Sequence, residues 1–589
     1  FFRTVFLLKV HHMLKRFFPF LSWMTTYNRS HLYGDLIAGA TVGIMLVPQG
    51  MAYAMIAGMP PIYGLYASLV PPLVYALMGT SRQLGVGPVA MDSLLVAAGV
   101  GALQLVNTEE YISTVLFLTL LIGGIQLLLG ILRMGFFVNF LSKPVISGFT
   151  SAAAILIGLG QLKHILGTDF AQSSKIHELV GNIIGSLGNV DLLTLGLGAV
   201  SIFLMFLLKS INKKLPTPLL IVVLGILAVV IFNLETKGIH IVGEIPKGLP
   251  HFEPPKFQWD KLGQLMPIAI TVALFGFMES VSIAKTVEEK HPEYELDADQ
   301  ELRALGLSNI LGSFFQSFSV SGSFSRTAIN DQAGAKTGMS LIFSTLIIAG
   351  VLLFLTPLFY KLPAVVLGAI IIVSVVGLID IKYPLVLWKN RKDEFVLLVA
   401  TFLMTLSIGL MEGILLGVLL SLMLLVYRIS KPHMAVLGKI KGTRYFKNID
   451  RFSGDVEVDA DKLVIRFDAQ LYFGNKDYFK KQLYRQIEKK GPVLKFIILN
   501  AEPINYIDSS AATMLERIIL DLRKKGIHFF IAAAIGPTRD ILYSSGIVDI
   551  LGEENLFAQT FDAVDFCSEQ KERSLMQKKV SLQSKTKSL

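Results

Sequence analysis

Cysteine is almost missing from this chain: Cys567 is the only one among 589 residues. No disulfide can close within it, and zinc or iron–sulfur sites held by several cysteines are excluded. Charge is also scarce. Asp, Glu, Lys and Arg make up 17% of the residues, against about 25% in an ordinary soluble domain. No G-x-x-x-x-G-K-[ST] loop occurs, so nothing in the sequence supports ATP-driven work. No nucleophile–base pair or metal cluster with recognisable spacing stands out, which argues against an enzyme and implies no cofactor.

What is present instead is apolar: 53% of the residues are hydrophobic. They are unevenly spread. Residues 34–430 are built from long apolar stretches, and residues 431–566 read as a soluble domain. Before them lies a basic, aromatic N-terminal segment (1–33), and after them a tail (567–589), rich in Lys, Ser and Gln from Lys571 and expected to be disordered. The N-terminal segment carries no small-residue cleavage site, so it reads as a cytoplasmic amphipathic lead-in at the membrane interface, with Met13 a candidate initiator. The net charge of +10 fits basic residues gathered on the cytoplasmic side of membrane spans better than nucleic-acid binding.

A span needs roughly 20 apolar residues. Stretches that meet or approach this include Asp35–Ala57, Tyr111–Leu132, Ile146–Leu166, Leu265–Ala284 and Ser340–Tyr360. Counting the shorter ones predicts about 14 spanning or half-spanning segments. An even number leaves both ends on one side, and Arg29 and Lys15 before the spans with Arg428 and Lys431 after them mark that side as the cytoplasm. The expected location is the cell membrane. Weak internal symmetry relates Ile122–Phe149 to Ile347–Ile370: each has a long span, a break with Lys and Pro, then a small-residue helix. The stretches Leu84–Gly101 and Ser313–Asn330 are interrupted by Gly, Pro and Ser at matching places in the two halves. Paired interruptions of this kind point to a transporter's binding site.

A broken helix at membrane depth is tolerated only where it lines a cavity or is buried in protein. Its free N-terminus offers unpaired N–H groups and about half a positive charge. Two such ends facing each other make an anion site without any lysine. The candidate ends are Gly87–Pro88–Val89–Ala90, with Pro88 suited to a first helical turn, and Ser323–Phe324–Ser325–Arg326–Thr327, whose hydroxyls and Arg326 add polar contacts. Composition alone fits ordinary Gly/Ser loops at the membrane surface equally well.

Pro61–Arg82, reading PIYGLYASLVPPLVYALMGTSR, resembles the signature of the sulfate permease (SulP) family over its whole length. The resemblance continues in VPQGMAYA (Val47–Ala54), GVGPVA, GFMESVSIAKT, NILGSFFQSFSVSGSFSRTAIN and a C-terminal STAS domain, and covers Tyr33 to Asp565. Animal members of that family include prestin and pendrin. The resemblance implies a polytopic helical membrane fold of two inverted seven-segment repeats, with a core domain that moves against a gate domain, commonly in a homodimer. It implies an anion held between two half-helix N-termini. Carried over by position, Gln49 and Tyr53 would face that anion, with Val89 and Ala90 on one half-helix and Ser325 and Arg326 on the other.

Glu279 sits well inside an apolar stretch, where a carboxylate's charge is costly and a functional role is the default reading. Such burial suits a group that takes up and releases a proton. By the family's layout it lies near the anion, so a neutral Glu279 would admit a dianion that an ionised one repels. The competing reading is a static ion pair with Arg326, in which case transport would be exchange. Asp92 departs from the apolar residue usual in the family; it reads either as a helix-stabilising carboxylate near an N-terminus or as a coupling-ion ligand for sodium.

From Lys462 the pattern turns to short apolar runs alternating with helices, which implies an α/β domain with a mostly parallel sheet. Asp508–Ser509–Ser510 resembles the phosphorylated turn of related anti-sigma-factor antagonists; Ser509 reads either as a helix N-cap or as a regulatory phosphorylation site. The leading function is secondary active transport of a small anion, a proton-coupled symport of sulfate or a related oxyanion. Sodium-coupled bicarbonate uptake, anion exchange and a non-transporting anion-gated sensor are the alternatives.

Overall fold

Helices of eighteen or more residues with sustained apolar runs can cross a bilayer, and eight among the described residues meet that standard. The computed structural model describes residues 17–105, 107–136, 142–211, 216–452 and 454–570. The lead-in up to Arg16, including Met13, and the tail from Lys571 lie outside these residues. The chain divides into two compact units, Phe1–Ser421 and Leu422–Leu589.

The first half of the membrane unit runs through α1 (Arg29–Ile56), α2 (Pro61–Ala67), α3 (Val70–Met78), α4 (Ala90–Gly101), α5 (Thr108–Ile131), α6 (Lys143–Gly160), α7 (Leu192–Ile211) and α8 (Thr217–Phe232). The second half runs through α9 (Leu262–Glu288), α10 (Ala298–Phe314), α11 (Phe324–Gln332), α12 (Met339–Gly350), α13 (Ala364–Val376), α14 (Lys392–Ser407) and α15 (Leu410–Ser430). Local chemistry sets several starts. The side chain of Asn28 accepts the His31 N–H at 3.0 Å and opens α1. Asn107 does the same for Glu109 at the head of α5, and Asp297 caps α10 through the N–H groups of Asp299 and Gln300.

Lipid does not drive apolar helices together, so close approach depends on small residues. Gly39 and Gly43 lie one turn apart on α1 and let α12 pass against its backbone. Helix α10 crosses α5 in the same manner: a β-carbon on Gly306 would stand 2.5 Å from the Leu127 nitrogen.

Both interrupted stretches fold into a short helix, as anticipated, preceded by a short extended segment that the sequence did not announce. Val86–Gly87 (β1) leads into α4, and Ser321–Gly322 (β2) leads into α11. The two segments pair antiparallel, Val86 opposite Gly322 and Gly87 opposite Ser321. That pairing brings the two interrupted stretches, one from each half of the membrane unit, to one point. Helix α4 packs against α9 of the other half, while α11 packs against α1 of the first.

In the second unit, β3 (Met434–Ile440), β4 (Phe446–Asn448), β5 (Val456–Glu457), β6 (Lys462–Phe467), β7 (Phe496–Asn500), β8 (His528–Ala532) and β9 (Leu556–Phe557) form one sheet in the order β4-β3-β6-β7-β8-β9, with β5 on β3. Strands β6 to β9 are parallel, as the alternation with helices implies. Strands β3 to β5 add an antiparallel edge. The parallel strands are apolar on both faces. Ile465, Ile497 and Ile531 pack toward one core with Leu515 and Ile518 of the helix Ser509–Lys524, while Val464, Ile498 and Phe530 pack with Cys567 on the other face.

Helix α16 (Lys476–Lys490) connects β6 to β7, and α17 (Ser509–Lys524) connects β7 to β8. Ser509 is not the cap of α17. The cap is Asp508, whose Oδ1 accepts the Ala511 N–H at 2.8 Å while its Oδ2 accepts the Phe473 N–H at 2.8 Å. A carboxylate is the stronger acceptor beside a helix N-terminus, so Ser509 becomes the first helical residue, with its side chain exposed.

Candidate functional site

Helices α4 and α11 begin inside the protein, and neither start is closed by a side chain. Val89 (φ −131°, ψ 151°) and Ser323 (φ −120°, ψ 128°) occupy the extended N-cap positions, and neither makes a side-chain capping bond. The first-turn N–H groups of both helices therefore remain free for a guest. Pro88 lies before the cap and not within the first turn as the sequence suggested, because Val89 still has extended backbone.

The segments leading into these helices are tied down. Ser323 N–H donates to the Gly85 carbonyl at 3.1 Å, and Gly85 N–H donates to Thr327 Oγ1 at 2.9 Å. Gly322 N–H donates to Ser280 Oγ of α9 at 2.8 Å, and Val320 N–H donates to Asn309 Oδ1 of α10 at 2.9 Å. These bonds hold the chain leading into the two helix starts, where non-helical backbone at membrane depth must either find partners or face a cavity.

It faces a cavity of about 780 Å³. Gln49 and Tyr53 of α1 line it, with Val89 and Ala90 at the start of α4 and Ser323 and Ser325 at the start of α11. Glu279 of α9 lines it too. Of the six residues expected to face the anion, only Arg326 is absent from the lining. Its side chain is 1% exposed and turns back, donating from Nη1 to the Pro88 carbonyl at 2.7 Å. Gly87 makes this turn possible: it adopts φ +152°, and a β-carbon there would stand 3.4 Å from Arg326 Nη2. Arg326 thus links the start of α11 to Pro88, just before the cap of α4, and lends its charge from behind the helix ends.

Several polar atoms here have no protein partner. They include Gln49 Oε1, Glu279 Oε2, both carboxylate oxygens of Asp92, and Nε and Nη2 of Arg326. No ion pair joins Glu279 to Arg326. Asp92 is 1% exposed and sits in the first turn of α4, yet it accepts no backbone N–H there, so it is not a capping carboxylate.

Among the lining residues that escaped the sequence reading, two bear on the site's chemistry. Ser374 stands in α13, and its signal was a single hydroxyl within the apolar run AIIIVSVV. Lys209, exposed near the end of α7, is the one basic residue lining the cavity among the described residues; its signal was a lysine closing an otherwise apolar span.

Opposed, uncapped half-helices around a cavity inside a bundle of apolar helices define a multi-pass membrane transporter. Residues 32–401 match the Sulfate permease family and residues 453–566 match the STAS domain. The chain belongs to the sulfate permease family. It is 38% identical over 571 residues to "Sulfate transporter 4.1, chloroplastic" of Arabidopsis thaliana, covering 93% of this chain and 82% of that protein. It is 33% identical over 577 residues to "High affinity sulfate transporter 2" of Stylosanthes hamata, covering 94% and 86%. Its fold is similar to murine Slc26a9, an anion transporter solved in the inward-facing state, with a TM-score of 0.87, 25% identity and 95% of each chain covered. The transmembrane domain of the cyanobacterial bicarbonate transporter BicA shares the fold over 67% of this chain and 98% of that domain, with a TM-score of 0.59 and 21% identity.

Proposed function

We propose that the protein is a proton-coupled symporter of sulfate or a related oxyanion, working by alternating access. The observation that carries this reading is the cavity in which the free starts of α4 and α11 meet a carboxylate without a protein partner, Glu279. The sulfate transporters among its relatives support the substrate class.

The anion lies against the first-turn N–H groups of both half-helices, with Gln49, Tyr53, Val89, Ala90 and Ser325 around it. Hydrogen bonds to a charged partner contribute about 1.5–3 kcal/mol each, and each helix terminus adds about 0.3–2 kcal/mol. Arg326 supplies a full positive charge from behind. Glu279 takes a proton from the water of the cavity as the dianion enters, which removes the like charge that would repel it. On the opposite side both leave. The absence of an ion pair between Glu279 and Arg326 supports a carboxylate free to cycle in this way.

Eight long apolar helices, three shorter apolar ones (Ala90–Gly101, Thr217–Phe232, Ala364–Val376) and α10, α11 and α14 support a count of about 14 segments. We take residues 34–430 as the transport domain and 431–566 as the STAS domain, with both ends cytoplasmic in the cell membrane, and a homodimer as the assembly. Ser509, exposed at the head of α17, is open to phosphorylation.

Uptake of labelled sulfate into proteoliposomes, with and without an acid-outside gradient, tests the reading. Accumulation above equilibrium only with the gradient supports it. Strict sodium dependence without a proton requirement, exchange only, or no flux at all overturns it.

A further inference from the structure

Helix α10 contributes no residue to the cavity lining among the described residues. Its buried face is nevertheless polar: Gln300, Glu301, Arg303, Ser308 and Asn309 are all at most 8% exposed. Burying polar groups is costly unless each finds a partner, so the partners show what the helix holds. Glu301, in the first turn of α10, accepts four hydrogen bonds. Tyr75 Oη donates to Oε2 at 2.6 Å, and the Thr80 N–H (2.7 Å), Thr80 Oγ1 (2.6 Å) and Ser81 N–H (3.3 Å) donate to Oε1. Thr80 and Ser81 lie just ahead of the first interrupted stretch. The chain that follows is tied to α11: Asn330 Nδ2 donates to the Gln83 carbonyl at 2.9 Å, and Gly85 bonds to Thr327 and Ser323.

Asn309, two turns further along α10, holds the second stretch. Its Oδ1 accepts the Val320 N–H at 2.9 Å and its Nδ2 donates to the Val320 carbonyl at 3.2 Å, so it pairs with both backbone groups of the residue before β2. Gln126 of α5 steadies that amide. Its Oε1 accepts from Asn309 Nδ2 at 2.9 Å, and its Nε2 donates to the Ala273 carbonyl of α9 at 3.1 Å. Residues eight apart lie on one side of a helix and about 12 Å apart along it. The interval between the two tethers is therefore set by the fixed rise of α10. From the tethers the two chains run into the β1–β2 pair, and α4 and α11 depart from there.

We propose that Glu301 and Asn309 are positioning residues for the anion: through α10 they set the spacing between the starts of α4 and α11, and so the size of oxyanion that both starts can grip. This deepens the transport reading above and rests on it. A tetrahedral dianion must meet N–H groups of both helices at hydrogen-bonding distance, which requires the two starts to be held within about 0.5 Å. Sulfate, selenate and molybdate share charge and shape and increase in size in that order, so a change in spacing changes which of them fits best. Neither residue touches the anion. A looser tether alters discrimination between sizes, whereas a loss of stability alone lowers the amount of working transporter and leaves discrimination as it was.

The test is labelled-sulfate uptake by proteoliposomes of the full chain, with the KM for sulfate and the inhibition constants of selenate and molybdate measured at one pH. The readout is the ratio of each inhibition constant to the sulfate KM. Glu301→Ala removes the acceptor of Thr80 and Ser81, and Asn309→Ala frees Val320; each is expected to shift the molybdate ratio by about threefold or more. In Glu301→Gln the amide oxygen still accepts from Thr80 while the NH2 donates to the Tyr75 hydroxyl oxygen, so that variant is expected to keep the wild-type ratio. Thr80→Val, which exchanges one hydroxyl for a methyl, is expected to shift the ratio in the direction of Glu301→Ala and by less. It decides the matter where an alanine variant fails to fold. Wild-type ratios in Thr80→Val and in every alanine variant that folds would overturn the proposal. So would a shift in Glu301→Gln as large as in Glu301→Ala, because charge and not position would then be at work. A wild-type protein that takes up no sulfate would instead overturn the transport reading itself, a separate outcome.

Discussion

The Arg326 guanidinium donates through Nη1 to the carbonyl oxygen of Pro88 at 2.7 Å, joining the first turn of one half-helix to the residue just before the cap of the other. Its remaining Nε and Nη2 have no protein partner. The bond fixes the distance between two helix starts that lie 238 residues apart in the chain, and it holds a positive charge just behind them. Geometry and electrostatics of the proposed anion site thus depend on one side chain.

Arg326→Ala is expected to weaken sulfate binding roughly tenfold to hundredfold, the range set by about 1.5–3 kcal/mol for a hydrogen bond involving a charged group. Arg326→Lys keeps the charge but lacks the planar fork, and should fall between the two. Isothermal titration or uptake kinetics with purified protein measures this. Unchanged affinity in Arg326→Ala would remove Arg326 from any part in binding.

Gly306→Ala tests the crossing of α10 and α5. A β-carbon there would meet the Leu127 nitrogen at 2.5 Å, whereas one on Gly124, on the same helix as Leu127, would meet nothing within 4 Å. Overpacking of this kind costs roughly 1–3 kcal/mol, so Gly306→Ala should lower the thermal unfolding midpoint in detergent and Gly124→Ala should not. Equal midpoints for the two variants would contradict the crossing.

Asp508→Ala removes both the cap of α17 and the bond to Phe473 N–H. Loss of such a cap costs about 0.5–2 kcal/mol. Amide hydrogen exchange at the start of α17 should accelerate in Asp508→Ala and stay near wild type in Ser509→Ala. The reverse ranking would restore Ser509 as the cap.

Asp468 gives a pH signature outside the membrane. Burial raises its pKa, but hydrogen bonds from Arg466 (2.5 Å to Oδ1) and His433 (2.9 Å to Oδ2) outweigh that and hold it below the usual carboxylate range. A pKa depressed in the folded state adds stability that is fully present above the unfolded value, about 3.9, and is lost as pH falls through the folded one. Asp468→Asn should therefore reduce stability at neutral pH and flatten its decline on acidification below about pH 4. An acid unfolding curve identical to wild type would show that the pair contributes nothing.

Much of this site was legible in the sequence because the physics of a broken helix in lipid leaves a composition mark. Gly87, Pro88 and Ser323 interrupt apolar stretches at matching places, and those places became the starts of α4 and α11. Glu279 was legible for the same reason: a carboxylate among apolar residues has few structural excuses. What the sequence concealed were directions and partners. Nothing local tells that the Arg326 side chain turns toward Pro88, since the bond spans the two halves. The β1–β2 pair is two residues long on each side, too short for a periodicity signal. Ser374 and Lys209 reach the cavity from α13 and α7, which the motif reading did not consider. The choice between Asp508 and Ser509 as cap turned on which of two adjacent acceptors faced the Ala511 N–H, and only the backbone geometry decides that.

The most direct measurement is the position of a bound sulfate analogue. Selenate soaked into the protein can be located by anomalous scattering at the selenium edge. The account predicts one selenium peak within hydrogen-bonding reach of the first-turn N–H groups of both α4, at Ala90 and Met91, and α11, at Ser325, with Arg326 behind it. A peak elsewhere, or one that touches only one of the two helix starts, would contradict it.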